Sequence, residues 1–145
     1  MADVSDITSA IATVLDGLTW VSEASDTTFQ PGVTVASCAA LVVPFGQESV
    51  STPVDVAGSY HRVVYRIPVE FWCKHTSGDQ ATTMQVARDA GTLAMAALLG
   101  ADGSGYSIAP DVGFEERIEA AFVQHGNANW LIATLIVPIE NEVAI

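Results

Sequence analysis

Glu115, Glu116 and Glu119 crowd one short stretch, and paired carboxylates are one means of acid–base catalysis. On an extended strand, however, alternation sends Glu115, Arg117 and Glu119 to one face and Glu116, Ile118 and Phe122 to the other. Arg117 between two glutamates is the pattern of a solvated ion-pair row. A working carboxylate pair also needs a cleft that drives its two pKa values apart, and nothing in the stretch supplies one. His61, His75 and His125 are far apart and show no two-histidine ligand spacing. His75 with Asp79 is a weak metal pair, and Asp79 is wanted as a helix cap. Gly103-Ser104-Gly105 has no strand before it and no helix after it, and it lacks the Lys-Ser/Thr ending of a phosphate-binding loop. No G-x-S-x-G occurs either. Cys38 and Cys73 are too few and too far apart for a zinc framework, and both sit in apolar strand-like runs that predict buried thiols. The reading is a non-enzyme, with no catalytic residue, no cofactor and no metal assigned. Trp20, Trp72 and Trp130 are the three largest apolar groups of the chain. Trp72 falls on the polar face of its strand and Trp130 shares a face with Ile132, Thr134 and Ile136, so both are candidates for subunit interfaces, with core packing the alternative.

The elements that must carry these residues are legible from periodicity. Ile7, Ile11, Val14, Leu15 and Leu18 recur at helical steps, which predicts a helix over 4–16 with Asp3 as cap and Gly17 just past its end. A short strand is possible near Trp20, and Pro31-Gly32 marks a turn. Val33 to Val43 predicts a strand that Pro44 ends. Residues 44–59 hold prolines, glycines and hydroxyl residues and predict a long loop or projecting hairpin arm. Tyr60 to Lys74 alternates clearly, with Val63, Tyr65, Ile67, Val69, Phe71 and Cys73 on one face; Pro68 predicts an edge position or a bulge. Met84, Ala87, Gly91, Ala94 and Leu98 predict a helix over 79–99, with small residues allowing close approach to a sheet. Residues 100–114 predict a second long loop. Glu115 to Val123 and Trp130 to Ile139 predict two strands joined by a turn at 124–129, the last one central because it is almost continuously apolar.

The fold class is therefore α+β: a single domain over 1–145 with an antiparallel or mixed sheet of four or five strands packed with two helices, in the order α-β-β-α-β-β. The expected core is Ile7, Ile11, Leu41, Val43, Val63, Tyr65, Ile67, Val69, Met84, Leu98, Leu135 and Val137. Composition limits what such a domain does. Half of its 145 residues are apolar and only 15% are charged, below the usual quarter or so. A surface that poor in charge suits burial against partners. Seventeen acidic residues against five basic ones give a net charge of −12, and the five cations are scattered along the chain, which argues against gripping nucleic acid. No apolar run has the length to span a bilayer, and the acidic start does not read as a signal peptide, so the expectation is a cytoplasmic product.

The succession of a short amphipathic helix, the small-apolar run Ala39-Ala40-Leu41-Val42-Val43, a long loop, the alternating strand from Val63 to Phe71, the alanine-rich helix from Ala87 to Leu99 and a closing apolar hairpin resembles the tail-terminator proteins of long-tailed bacteriophages and prophages. The resemblance implies a virion structural protein: a homohexameric ring in the neck region that caps the tail tube, ends its elongation and offers the head–tail joining surface. Its partners would be the major tail tube protein, a head-completion or connector protein, and double-stranded DNA that passes through without specific binding, with no membrane involved. In such a ring the lumen should be neutral to acidic so that the duplex slides, and Asp102, Asp111, Glu115 and Glu119 are the candidate lumen-lining acids. Another neck, connector or tail-tube subunit is the alternative within this class. A small ligand-binding or enzymatic α+β domain is the alternative outside it.

Overall fold

The computed structural model describes residues 4–25, 38–43, 48–53, 60–74, 80–118, 123–125 and 128–144. Among them are the helices α1 (Val4–Asp16) and α2 (Gln80–Gly100). The strands are β1 (Val21–Ser25), β2 (Cys38–Val42), β3 (Glu48–Pro53), β4 (Tyr60–Lys74), β5 (Glu115–Ile118), β6 (Val123–His125) and β7 (Ala128–Ala144). All seven strands belong to one sheet, whose main path runs β1-β2-β4-β7-β5, with β3 beside β4 and β6 beside β7. Only the β1–β2 pairing is parallel. The α+β class with two helices on a mixed sheet is the one the sequence predicts.

β4 and β7 form the spine. They pair antiparallel from Tyr60↔Ala144 to Lys74↔Trp130, which at about 3.4 Å per residue makes a ribbon roughly 50 Å long. Along the outer edge of β4, β2 takes residues 69–73 and β3 takes residues 61–66. Along the outer edge of β7, β6, β5 and the segment around Ile108 follow one another. Pro68 does not mark an edge strand, because β4 is paired on both sides. Val43 N–H donates to Pro68 O at 2.9 Å, so the missing N–H of Pro68 faces the junction where β2 ends and β3 has not begun. Pro138 repeats the device on β7: its carbonyl accepts from Ala109 N–H at 3.0 Å, between the β5 pairing and the Ile108↔Ile139 bridge.

Both helices cover the same face of the sheet. Ile7, Ile11 and Leu15 of α1 and Ala87, Ala90, Ala94 and Leu98 of α2 are buried in one cluster with Ala40, Val42, Ile67, Val69, Phe71, Leu135 and Val137. The small residues of α2 let it lie close to the strands, as their spacing predicts. Thr8, buried inside α1, is satisfied by donating from Oγ1 to Ser5 O at 3.1 Å. At the end of α1, Asp16 Oδ1 accepts from Ala24 N–H at 3.3 Å and ties the helix to β1.

The core differs from the expected one in the phase of β2. The register Ala40↔Phe71 and Val42↔Val69 puts Ala40 and Val42 inward, and Leu41 and Val43 are only half-buried. Val63, Tyr65 and Met84 are half-buried too, with Tyr65 and Met84 packed against the cluster rim. The caps Asp3 and Asp79, the turn at 31–32, residues 33–37 of the expected strand, and most of 44–59 beyond β3 lie outside the described residues. β3 itself pairs with β4, as a hairpin arm does.

Candidate functional site

The face of the sheet turned away from α1 and α2 is built by the even-numbered residues of β4 and β7. Arg62, Val64, Arg66, Pro68, Glu70, Trp72 and Lys74 run along β4, and Trp130, Ile132, Thr134, Ile136, Pro138 and Glu140 along β7. β5 adds Glu115 and Arg117, opposite Ile136 and Thr134. Neither described helix packs here. Four of the five basic residues of the chain therefore share one face, although they look scattered in sequence.

Each of the three arginines on this face has an acidic partner within the chain. Arg62 forks onto Asp111, with Nη2 to Oδ1 at 2.5 Å and Nη1 to Oδ2 at 3.2 Å, and also donates from Nε to Glu140 Oε2 at 3.0 Å. Two parallel donors on one carboxylate fix orientation as well as charge. Glu140 in turn accepts from Ser107 Oγ at 3.4 Å. Arg66 binds Glu115 Oε2, and Arg117 reaches the same carboxylate from two residues along β5, with Nε to Oε1 at 3.0 Å. The hydrogen bond from Arg62 holds the Asp111 carboxyl below its usual range, and that from Arg117, helped by Arg66, does the same for Glu115. At the other end, Trp72 Nε1 donates to Glu70 Oε1 at 3.3 Å, and its ring meets Trp130 edge-on at 6.3 Å between centroids.

Of the candidate lumen acids, Asp111 and Glu115 are thus neutralised by arginines and present no isolated negative charge. Asp102 is exposed, with Oδ1 accepting from Ile108 N–H at 2.9 Å. Glu119 lies outside the described residues. Trp130 is 2% exposed, so the single chain already buries it, whereas Trp72 keeps part of its surface open. The sequence reading found Glu115 and Arg117 as a pair but missed Arg62–Asp111, because that contact joins a strand to a loop far away along the chain.

The segment 101–114, expected as a long loop, is held to the body at several points. Tyr106 is buried, and its hydroxyl donates to Leu98 O at 2.7 Å, capping a carbonyl at the end of α2. Burial, and secondarily Asp102, push the Tyr106 phenol up to about 12. Ile108 bridges Ile139, and Glu140 N–H donates to Ser107 O at 2.9 Å. Gly105 has φ +93°, and a Cβ there would come within 2.9 Å of Ala10 Cβ, so this turn needs glycine to lie against α1.

A second candidate surface lies on the opposite side of the molecule. Val86, Leu93 and Leu99 of α2 are 39%, 49% and 48% exposed, the large apolar residues most open to solvent among those described. Arg88 and Asp89 are the only charges on the helix. Two adjoining depressions of about 330 Å³ each share Ser107, Glu140 and Asn141, one reaching Arg62 and the other Ile7, Gly103 and Tyr106. Arg62 and Ser107 there both donate to Glu140, and the described residues hold no cluster of three metal-ligating side chains. No described helix is long and apolar enough to cross a membrane. No protein-family model matches the chain, and no curated protein sequence does.

Proposed function

We propose that the protein is a ring-forming structural subunit, and within that class a tail terminator that caps the tail tube of a long-tailed phage or prophage particle and offers the head–tail joining surface. The observation that carries ring formation is the pair of unlike surfaces on opposite sides of a two-layer domain, one with its arginines already paired to carboxylates and the other with few charges. One is the helix-free sheet face with Trp72, Pro68 and Ile132; the other is the flank of α2 on which Val86 and Leu93, seven residues apart, lie in one stripe. Joining unlike surfaces is a head-to-tail contact, and such contacts close into rings when the rotation between subunits permits. A protein of net charge −12 also gains from meeting its copies where its charges are few or already paired. The particular assignment to a tail terminator rests on the layout of helices and strands, and such a subunit would sit in the neck of the virion. A ring with exposed Asp102 near its channel would let DNA slide.

Negative-stain imaging and sedimentation test the reading, on the purified protein at high concentration and on tails assembled with it. Rings, or tubes capped by a ring, are the expected result, together with their loss in Leu93→Glu while thermal unfolding of the subunit is unchanged. Small particles alone, with tails that lack the protein, would refute it.

A further inference from the structure

The only two cysteines of the chain stand opposite one another in the sheet. β2 and β4 pair antiparallel with Cys38↔Cys73 as the last position of the ladder. The hydrogen bond from Val43 N–H to Pro68 O makes Val43 and Pro68 a hydrogen-bonded pair. Such pairs alternate with non-hydrogen-bonded ones along an antiparallel ladder. Stepping through Val42↔Val69, Leu41↔Glu70, Ala40↔Phe71 and Ala39↔Trp72, the alternation makes Cys38↔Cys73 a non-hydrogen-bonded pair. In that class the Cα atoms lie about 4.5 Å apart, at the lower end of the roughly 4.4–6.8 Å over which disulfides occur.

We propose that Cys38 and Cys73 form a reversible cross-strand disulfide by exchange with a small-molecule disulfide. Cys73 is 1% exposed and its thiol lies 3.9 Å from Phe71 O, so Cys73 is the resolving thiol and not the one that meets the small disulfide. The Cys38 thiolate attacks one sulfur of the small disulfide, forms a mixed disulfide and expels one thiolate. The Cys73 thiol then loses its proton and attacks the Cys38 sulfur, and the second small thiolate leaves. Two protein thiols are oxidised and one small disulfide is reduced to two thiols. Thiol–disulfide exchange runs in both directions, so a small reducing thiol reopens the bond by the reverse of these steps. The bond staples β2 to the spine and closes the chain segment that contains β3. The pairing is a property of the ladder and does not depend on what the protein assembles into.

The test is incubation of the native protein with oxidised glutathione, then with graded reduced glutathione, followed by capping of thiols in denaturant. The expected product is a monomer lighter by two hydrogens, with the Cys38 and Cys73 peptides linked. Reduced glutathione reverses it, and Cys38→Ala abolishes it without unfolding the chain. Its urea midpoint is raised by about 1 M over the reduced form. The proposal is overturned if both thiols are capped after incubation, if a glutathione adduct on Cys38 persists unresolved, or if linkage appears only between chains.

Discussion

Along β4, Ile67, Val69, Phe71 and Cys73 are buried against the helices, whereas their neighbours Arg66, Pro68, Glu70 and Trp72 stay half-buried on the other side. On β7 the contrast holds only at Ile132 and Thr134, which are half-buried beside Leu135 and Val137; Trp130, Ile136 and Pro138 of the same face are buried as well. One face is apolar at its centre and makes the fold. The other mixes aromatic rings with arginines whose carboxylate partners come from the same chain. Pairing the arginines within the subunit lowers what must be desolvated when a partner docks, because each already holds a carboxylate. A face of this composition suits contact between subunits more than it suits holding the subunit together.

Adjacent substitutions on opposite faces break or sharpen that contrast most directly. Phe71→Ala empties a fully buried site that also touches Trp20, at 5.7 Å between ring centroids. Its expected cost is about 3–5 kcal/mol in denaturant unfolding. Trp72→Ala, one residue on, should cost only about 1–2 kcal/mol, since part of the ring is already solvated. The same variant should lose ring assembly. Equal costs for the two variants would mean that the sheet is covered on both sides and that the contrast is false.

Tyr106 tests whether segment 101–114 belongs to the fold or to an adaptable surface. Tyr106→Phe removes one buried hydrogen bond to Leu98 O, so the expected loss is about 1 kcal/mol at neutral pH. The folded phenol titrates near 12, above the unfolded value of 10.0. Its contribution is therefore complete below pH 10 and is lost as pH rises toward 12, because only the unfolded chain releases the proton in that window. Wild-type stability should fall there, and Tyr106→Phe should lack that part of the fall. Identical alkaline profiles would show the segment to be open to solvent.

Asp111 and Glu115 give a smaller effect of opposite sign. Their folded pKa values lie below the unfolded ones, so their contribution is present above the carboxylate range and fades as pH drops through it. Asp111→Asn should flatten part of the acid fall in stability below about pH 5 and leave the profile above it parallel to wild type. The groups are exposed, so the change is small and needs low salt to be seen. A variant profile that parallels wild type below pH 5 as well would mean that Arg62 gives Asp111 no net stabilisation.

How much of this was legible in the sequence follows from the range of each signal. α1, the faces of β4 and the small-residue side of α2 were readable because each is a local period repeated over several turns or steps. The inward phase of β2 was not, since Leu41 and Ala40 both suit a strand, and only pairing with Phe71 and Val69 decides which points in. Pro68 was misread because a proline can occupy a central strand where two neighbours meet, and that junction is a tertiary fact. The Arg62–Asp111 fork and the Cys38↔Cys73 pairing were hidden for the same reason. Each joins positions that only the sheet order brings together.

Gly91 carries the smallest predicted effect, and its sign is informative. In a helix interior, alanine is favoured over glycine by about 1 kcal/mol, because glycine loses more backbone freedom on folding. A Cβ at Gly91 would lie 2.9 Å from Glu116 Oε1 and 3.0 Å from its Cδ, so something must move. What must move is the far end of an exposed, flexible glutamate on β5, which can swing aside at little cost. Gly91→Ala should therefore raise stability by at most a few tenths of a kcal/mol once the displacement is offset. In a Glu116→Ala background the same substitution should gain the full helix preference. Gly105→Ala is the control: its φ of +93° and the Ala10 Cβ at 2.9 Å leave no flexible neighbour to yield, so it should destabilise. If Gly91→Ala instead loses stability as Gly105→Ala does, Glu116 is fixed over the helix, and the helix-bearing side of β5 is as tightly packed as the centre of the core.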